Sequence, residues 1–311
     1  MTLITLLLAL VLERFLGYMS DFRNPRRLDA YVGRFGALLD RIGLTHPGFR
    51  LLVLALPPVL VVGWLGGWLS AVLLGLPGII FGVAILLYCL GPEDLEEEIN
   101  NYIEAVAVGD EARQRRVAAR LLGDVPPDDA GVRARRVALA GFAESNDRLF
   151  TVIFWFALMG PAAAVLYRLV HSIARAHDAV PPADEAEVGE DAESGEVNEG
   201  LARVAAGLAG LMEWAPARLA ALGYAITGSF DHALVGLREH FWSSEDGLRR
   251  GSRLLLSESG AGAVRLDDLL DDEADAATLS AVFATVTNHI QRNLIVWMAA
   301  LALLTLGGWA T

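Results

Sequence analysis

The forty residues from Leu51 to Leu90 contain no charged side chain. A transmembrane helix needs about 20 predominantly apolar residues, so this stretch is long enough to cross a bilayer twice. Gly66-Gly67 and Ser70 predict a tight turn between an arm at Leu51–Trp68 and an arm at Ala71–Leu90. The stretch therefore predicts a helical hairpin inside a membrane.

Other apolar segments extend the predicted membrane region, and they are Leu3–Tyr18, Leu149–Val170 and Leu294–Trp309. The first has no basic residue before it and no cleavage site after it, which predicts a retained helix. Leu201–Ile226 is ambiguous because it carries Arg203, Glu213 and Arg218, and ionisable residues are costly at the bilayer centre. This segment either crosses the membrane or lies on it as an amphipathic helix.

Arginine side chains indicate how these segments are oriented. Seven arginines lie between residues 14 and 50, and seven more lie between residues 113 and 136. The positive-inside rule places both stretches in the cytoplasm and the N-terminus outside. Arg148 and Arg292 also favour the inside, so an even number of crossings should separate them, and Leu201–Ile226 is the only candidate for the second crossing. This parity favours six spans with both termini outside, and the chain crosses the bacterial inner membrane five times if Leu201–Ile226 lies on its surface.

Composition narrows the fold and function classes further. No alternation of period two occurs in the chain, which predicts an all-α fold, a polytopic transmembrane helix bundle with a cytoplasmic helical segment. The formal charge of −13 argues against nucleic acid as a partner. All 25 basic residues are arginine, which excludes mechanisms that need a lysine. The single cysteine, Cys89, cannot form an internal disulfide and is interpreted as a small buried hydrophobe.

Changes in composition divide the chain into five regions. They are 1–90 (first helix, basic loop and membrane hairpin), 91–147 (cytoplasmic helices), 148–180 (central span), 181–200 (acidic linker) and 201–311 (C-terminal membrane region with a last span at 294–309). Gly123–Gly131 predicts a turn between two cytoplasmic helices. Residues 181–200 hold eight acids, no base and no aromatic residue, which is typical of a disordered linker.

The first cluster of candidate binding residues is Glu144-Ser145-Asn146-Asp147-Arg148, immediately before the central span. Glu144 and Arg148 are four residues apart, so they share a helix face and can form an ion pair. One interpretation is a helix-end ion pair that anchors the span. The other is a site for a phosphate, a metal-nucleotide or an amine.

Two further places hold candidate binding residues. Glu213 and Arg218 flank Pro216 within an apolar helix, a pattern that marks either a kink or a site. Glu104 follows Tyr102 in a segment that is either an ordinary solvated helix or part of a site. The sequence contains no phosphate-binding loop, metal-ligand spacing or nucleophile elbow, so no catalytic residue, metal site or cofactor is assigned.

The binding hypothesis joins these candidates at the cytoplasmic face of the bundle. Glu144, Asn146, Asp147, Arg148 and Arg218 would gather there around an anionic ligand such as a nucleotide or phosphate. The guanidinium of Arg218 suits this role because it can form paired hydrogen bonds to a phosphate. The expected partners are the lipid bilayer, a small anionic ligand, and cytoplasmic or membrane proteins.

Several of these stretches together resemble the AmpE family of inner-membrane proteins. They are Leu12-Glu13-Arg14-Phe15, Asn100 to Ala105 with Gly109-Asp110, Asn146 to Phe150, and Trp214 to Leu219 with Tyr224 to Gly228. The resemblance implies a regulatory or signalling role linked to β-lactamase induction and cell-wall stress.

The AmpE family is similar, more distantly, to cobinamide-phosphate synthase, a membrane enzyme that joins an aminopropanol unit to cobyric acid. This chain keeps that family's Pro-Ala-Arg-Leu stretch as Pro216–Leu219. It departs from the family at Asn24–Arg27, where Gly-Asp-Pro would stand, and Ser145 separates Glu144 from Asn146. The alternative function is therefore a nucleotide-dependent, amide-forming ligase of cobalamin biosynthesis, for which magnesium-nucleotide would be the cofactor.

Overall fold

The computed structural model describes residues 2–16, 26–44, 46–72, 75–90, 95–178, 192–242, 247–270 and 276–307. Every regular element in these ranges is a helix, and none is a strand. The predicted all-α fold is therefore confirmed for the described part of the chain.

The helices follow one another along the chain as α1 (Thr2–Leu16), α2 (Arg26–Arg41), α3 (Pro47–Ala71), α4 (Leu76–Cys89), α5 (Leu95–Val108), α6 (Glu111–Leu122), α7 (Ala130–Ser145), a π-helix (Asn146–Phe150), α8 (Thr151–Met159), α9 (Pro161–Asp178), α10 (Ala192–Thr227), α11 (Phe230–His240), α12 (Leu248–Val264), α13 (Leu266–Leu269) and α14 (Ala276–Leu306). α10 begins inside the segment predicted as an acidic linker. Residues 181–191 of that segment lie outside the described residues.

The chain forms two compact units. The first comprises residues 1–92, 152–209 and 304–311, and the second comprises residues 93–151 and 210–303. The first unit contains the uncharged hairpin, whereas the second contains most of the candidate site residues.

The hairpin of the first unit consists of α3 and α4. α3 continues through Gly66 and Gly67 to Ala71 and α4 begins at Leu76, so the first arm of the hairpin ends later than predicted. Gly66 is accommodated within the helix by packing, since a Cβ there would meet Phe81 and Pro161 at 3.5 and 3.6 Å. Small residues of this kind allow apolar helices to approach closely.

The outer face of α3 is apolar and exposed. Leu52, Leu56, Leu60, Trp64 and Trp68 recur every four residues along it, and all five are exposed. A water-soluble protein rarely leaves a continuous apolar face of this size uncovered. This face therefore suits contact with lipid chains.

Two described helices, α3 and α14, are long and apolar enough to cross a membrane. α4 has only 14 residues, and the apolar part of α1 is confined to Leu3–Leu12. The predicted central span is broken at Gly160, whose φ of +79° separates α8 from α9. These two helices account for two of the five or six predicted spans, and the remaining spans stay a prediction.

The core of the first unit packs α2 and α9 against α3. Leu39, Leu54, Leu169 and Val170 are buried in one apolar cluster there. The guanidinium of Arg50 is buried with them and pairs with the carboxylate of Asp40, which fixes α2 to α3.

The second unit is organised around α12, which packs on α7 and α11. The α11–α12 contact is close because glycines face backbone atoms across it. A Cβ on Gly262 would lie 2.5 Å from the carbonyl oxygen of His232, and one on Gly236 would lie 2.8 Å from the carbonyl carbon of Glu258. These glycines bring α12 into the position from which its polar side chains reach α7 and α10.

Candidate functional site

The π-helix Asn146–Phe150 is the backbone feature that shapes the site. The Thr151 N–H donates to the carbonyl oxygen of Asn146, five residues earlier, instead of the usual four. A single π-turn widens the helix locally and changes the direction of the side chains on it, and such turns occur frequently at functional sites. Here it lies within a run of buried polar side chains, those of Glu144, Ser145, Asn146, Asp147 and Arg148.

Three carboxylates and two guanidiniums form a buried ion-pair network around this turn. Arg148 donates from Nη2 to Glu98 at 2.8 Å and from Nε to Glu144 at 3.0 Å. Arg253 donates from Nη2 to Glu144 at 3.0 Å and from Nη1 to Asp147 at 2.6 Å. Glu144 therefore bridges the two arginines, and the predicted Glu144–Arg148 pair is confirmed.

The network keeps both guanidiniums charged. Burial alone would lower the pKa of Arg148, but the charges of Glu144 and Glu98 outweigh burial and raise that pKa above its ordinary value. Burial acts on Arg253 in the same way, and Glu144 and Asp147 raise its pKa. Both arginines thus already have the negative charge that a buried cation requires.

Glu213 on α10 lies beside this network. Its carboxylate is within 4.8 Å of that of Asp147, and its Oε2 lies 3.5 Å from Nε of Arg249. Asn146 donates from Nδ2 to Asp147 at 3.4 Å, while the buried Oδ1 of Asn146 has no hydrogen-bond partner. This side of the site is a buried cluster of oxygen atoms.

Arg218 on α10 has different surroundings. Its side chain is 4% exposed, and it donates from Nε to the carbonyl of Phe241 at 3.1 Å. Nη1 donates to the carbonyl of Trp214 at 3.1 Å and to Oγ of Ser252 at 2.8 Å, and the guanidinium carbon lies 4.4 Å from the Trp214 ring centroid. Nη2 has no hydrogen-bond partner, and no carboxylate pairs with Arg218 among the described residues.

The structure brings together most of the residues predicted for the site. Glu144, Asp147 and Arg148 belong to the network, whereas Asn146 and Glu213 adjoin it. Arg218 connects to it through α12, which carries Ser252 next to Arg253. Glu104 lies elsewhere, on α5, where its 67% exposed side chain pairs with Arg113 at 3.1 Å.

Sequence reasoning missed the contributions of α5 and α12. Glu98 belongs to an acidic run that resembles an ordinary helix start. Arg249, Ser252 and Arg253 follow the i, i+3, i+4 spacing of one helix face, which is a signal that was present in the sequence. That spacing indicates a polar face but not the residues that the face contacts.

The described part of the chain is all-helical, two of its helices are long and apolar enough to cross a membrane, and ion pairs lie in its interior. These features are typical of a helical membrane protein. The family described as "Regulatory signalling modulator protein AmpE" matches residues 1–246. The chain belongs to the AmpE family and is a regulatory membrane protein, as the resemblance implied.

Curated relatives carry a different description, "Cobalamin biosynthesis protein CobD". The relative from Stutzerimonas stutzeri (strain A1501) is 28% identical, and the alignment covers 97% of this chain and 96% of the relative. The relative from Chromobacterium violaceum (strain ATCC 12472) is 29% identical over 74% of this chain and 70% of its own length. No solved structure matches the chain.

Proposed function

We propose that this protein is a multi-pass regulatory modulator of the bacterial inner membrane, linked to β-lactamase induction and cell-wall stress, which binds an anionic ligand at its cytoplasmic face. Membership of the AmpE family supports the regulatory role. The surroundings of Arg218 support the ligand. The proposal requires no cofactor.

The observation that carries the proposal is the buried guanidinium of Arg218, which has no carboxylate partner among the described residues. Removing a charge from water is costly unless an opposite charge compensates it. Arg148 and Arg253 are each compensated by two carboxylates, whereas Arg218 contacts two carbonyls, a hydroxyl and aromatic rings. An anion that reaches Nη2 of Arg218 would supply the missing negative charge, and guanidiniums bind phosphate and carboxylate groups well.

The buried network has a positioning role in this proposal. Arg253 links α12 to Glu144 and Asp147 on the other side of the site. Ser252, the preceding residue, contacts Arg218. The ion pairs thereby hold α12 where its serine can orient the guanidinium.

Arg218→Gln should abolish the regulatory effect in cells. In a strain that lacks its own copy of the gene, we expect the variant to give the β-lactamase activity of the empty strain after a β-lactam challenge. Arg113→Gln, which changes a half-exposed arginine on α6, should behave like the wild type. Full complementation by Arg218→Gln at an equal membrane level of protein would contradict the proposal.

A second candidate function is a ligase related to cobinamide-phosphate synthase. The observation that favours it is similarity to CobD proteins along nearly the whole chain, together with the retained Pro216–Leu219 stretch. The oxygen donors of Asp147, Glu213 and Asn146 fit a magnesium ion, which prefers carboxylate and carbonyl oxygens. Product formation from cobyric acid, an aminopropanol substrate, ATP and magnesium by the purified protein would establish this function. No turnover above that of a Glu213→Gln variant would exclude it.

A further inference from the structure

An exposed apolar stripe lies beside Arg218 on the surface of the second unit. It consists of Leu211, Leu219, Leu222 and Ile226 on α10, whose spacing places them on one helix face, and all four are exposed. Leu219 directly follows the buried arginine in the sequence. A continuous apolar face next to a buried cation combines the two properties of a phospholipid site, one for the head group and one for the chains.

α10 and α14 run antiparallel, because Ala220 contacts Asn293 whereas Tyr224 lies against His289. The part of the stripe that precedes Ala220 therefore lies alongside the predicted span. Nδ2 of Asn293 on α14 donates to the carbonyl oxygen of Ala220 at 3.0 Å. Asn293 immediately precedes the predicted span Leu294–Trp309. Arg218 is two residues from Ala220, so it lies within one helical turn of the level at which that span begins.

Aromatic side chains around Arg218 agree with this level. Trp242 is 75% exposed, and its ring centroid lies 6.1 Å from that of Trp214 and 5.0 Å from that of Phe241. Tryptophan is enriched where a membrane meets water, because its ring is apolar and its N–H is polar. The Arg218 guanidinium thus lies among aromatic rings typical of the head-group region.

The hydrogen bonds of Arg218 fix the orientation of its guanidinium. Nε and Nη1 donate to the carbonyls of Phe241 and Trp214, and Nη2 has no hydrogen-bond partner within the described part of the chain. Ser252 accepts from Nη1, so its own hydroxyl proton can be donated to the same anion. Two donors from neighbouring side chains would then meet one phosphate group.

We infer that Arg218 and Ser252 bind the phosphate of an anionic phospholipid whose chains lie along Leu211 and Leu219, the part of the stripe beside the predicted span. This inference rests on the proposed function and names the source of its anion. A free phosphate shares the head-group chemistry, but it would leave the apolar stripe uncovered. The membrane lipid therefore satisfies both the buried charge and the exposed apolar face.

The test compares three probes on the delipidated full-length protein in detergent: phosphatidylglycerol, glycerol 3-phosphate as the head group alone, and diacylglycerol as the chains alone. Binding is measured by native mass spectrometry and by the shift in melting temperature. We expect phosphatidylglycerol to bind at least about tenfold more tightly than either fragment, and Arg218→Gln to lose at least about tenfold of that affinity.

A second variant keeps the test informative if Arg218→Gln unfolds. Leu211→Gln changes an exposed side chain of the stripe beside the predicted span, and it should weaken phosphatidylglycerol binding while leaving glycerol 3-phosphate binding unchanged. Equal affinity for glycerol 3-phosphate and phosphatidylglycerol would overturn the lipid and leave the anion of the proposed function standing. If folded Arg218→Gln bound phosphatidylglycerol as tightly as the wild type, the inference would be overturned. Full complementation by Arg218→Gln in the β-lactamase assay, with lipid binding lost, would reject only the regulatory role.

Discussion

Glu144→Gln should lower the free energy of unfolding by about 3 kcal/mol, because it removes the carboxylate that bridges a buried and a partly buried guanidinium. Arg148 would retain its ion pair with Glu98, and Arg253 would retain its ion pair with Asp147. The amide is close in size to the carboxylate, so the loss reports charge and hydrogen bonding instead of a cavity. Denaturant unfolding of the purified protein in detergent, followed by circular dichroism, measures it.

Glu104→Gln is the matched control for this prediction. It makes the same chemical change in a glutamate that also pairs with an arginine, but the pair is exposed. Exposed ion pairs contribute at most about 1 kcal/mol, since water already stabilises both charges. Equal losses of stability in the two variants would show that the buried ion pairs contribute no more to the free energy of unfolding than an exposed pair does.

Gly262→Ala should destabilise the second unit by about 2–3 kcal/mol, since the added Cβ would lie 2.5 Å from the His232 carbonyl oxygen and 2.7 Å from its carbonyl carbon. These are backbone atoms of α11, so the contact cannot be relieved by rotation of a side chain. The helices must separate, and α12 carries Ser252 and Arg253 with it. We therefore expect weaker phosphatidylglycerol binding as well as a lower melting temperature.

Gly207→Ala is the control for Gly262→Ala, and we expect it to stabilise the protein. A Cβ at Gly207 on α10 would meet no atom within 4 Å. Replacing a helical glycine at an open position by alanine stabilises a helix by up to about 1 kcal/mol. Equal stability of Gly262→Ala and Gly207→Ala would contradict the close contact between α11 and α12 at Gly262.

Local patterns predicted the features that depend on neighbouring residues in the chain. The Glu144–Arg148 pair follows from the helical repeat alone, because residues four apart share a face. Cys89 is buried, as its apolar surroundings indicated. The sequence placed the hairpin turn too early, because α3 continues through Gly66 and Gly67, and Gly66 is a position of close packing within the helix.

The sequence by itself determined the all-helical class and the family, since the class follows from runs of apolar residues and the family from short motifs. Only the tertiary structure decided which distant groups the arginines meet. Arg148 meets a second carboxylate, from α5, whereas Arg218 meets carbonyls, a hydroxyl and aromatic rings. That difference depends on how α5, α7, α10 and α12 pack, and helix packing depends on contacts between residues far apart in the chain, such as the close approach of Gly262 to His232.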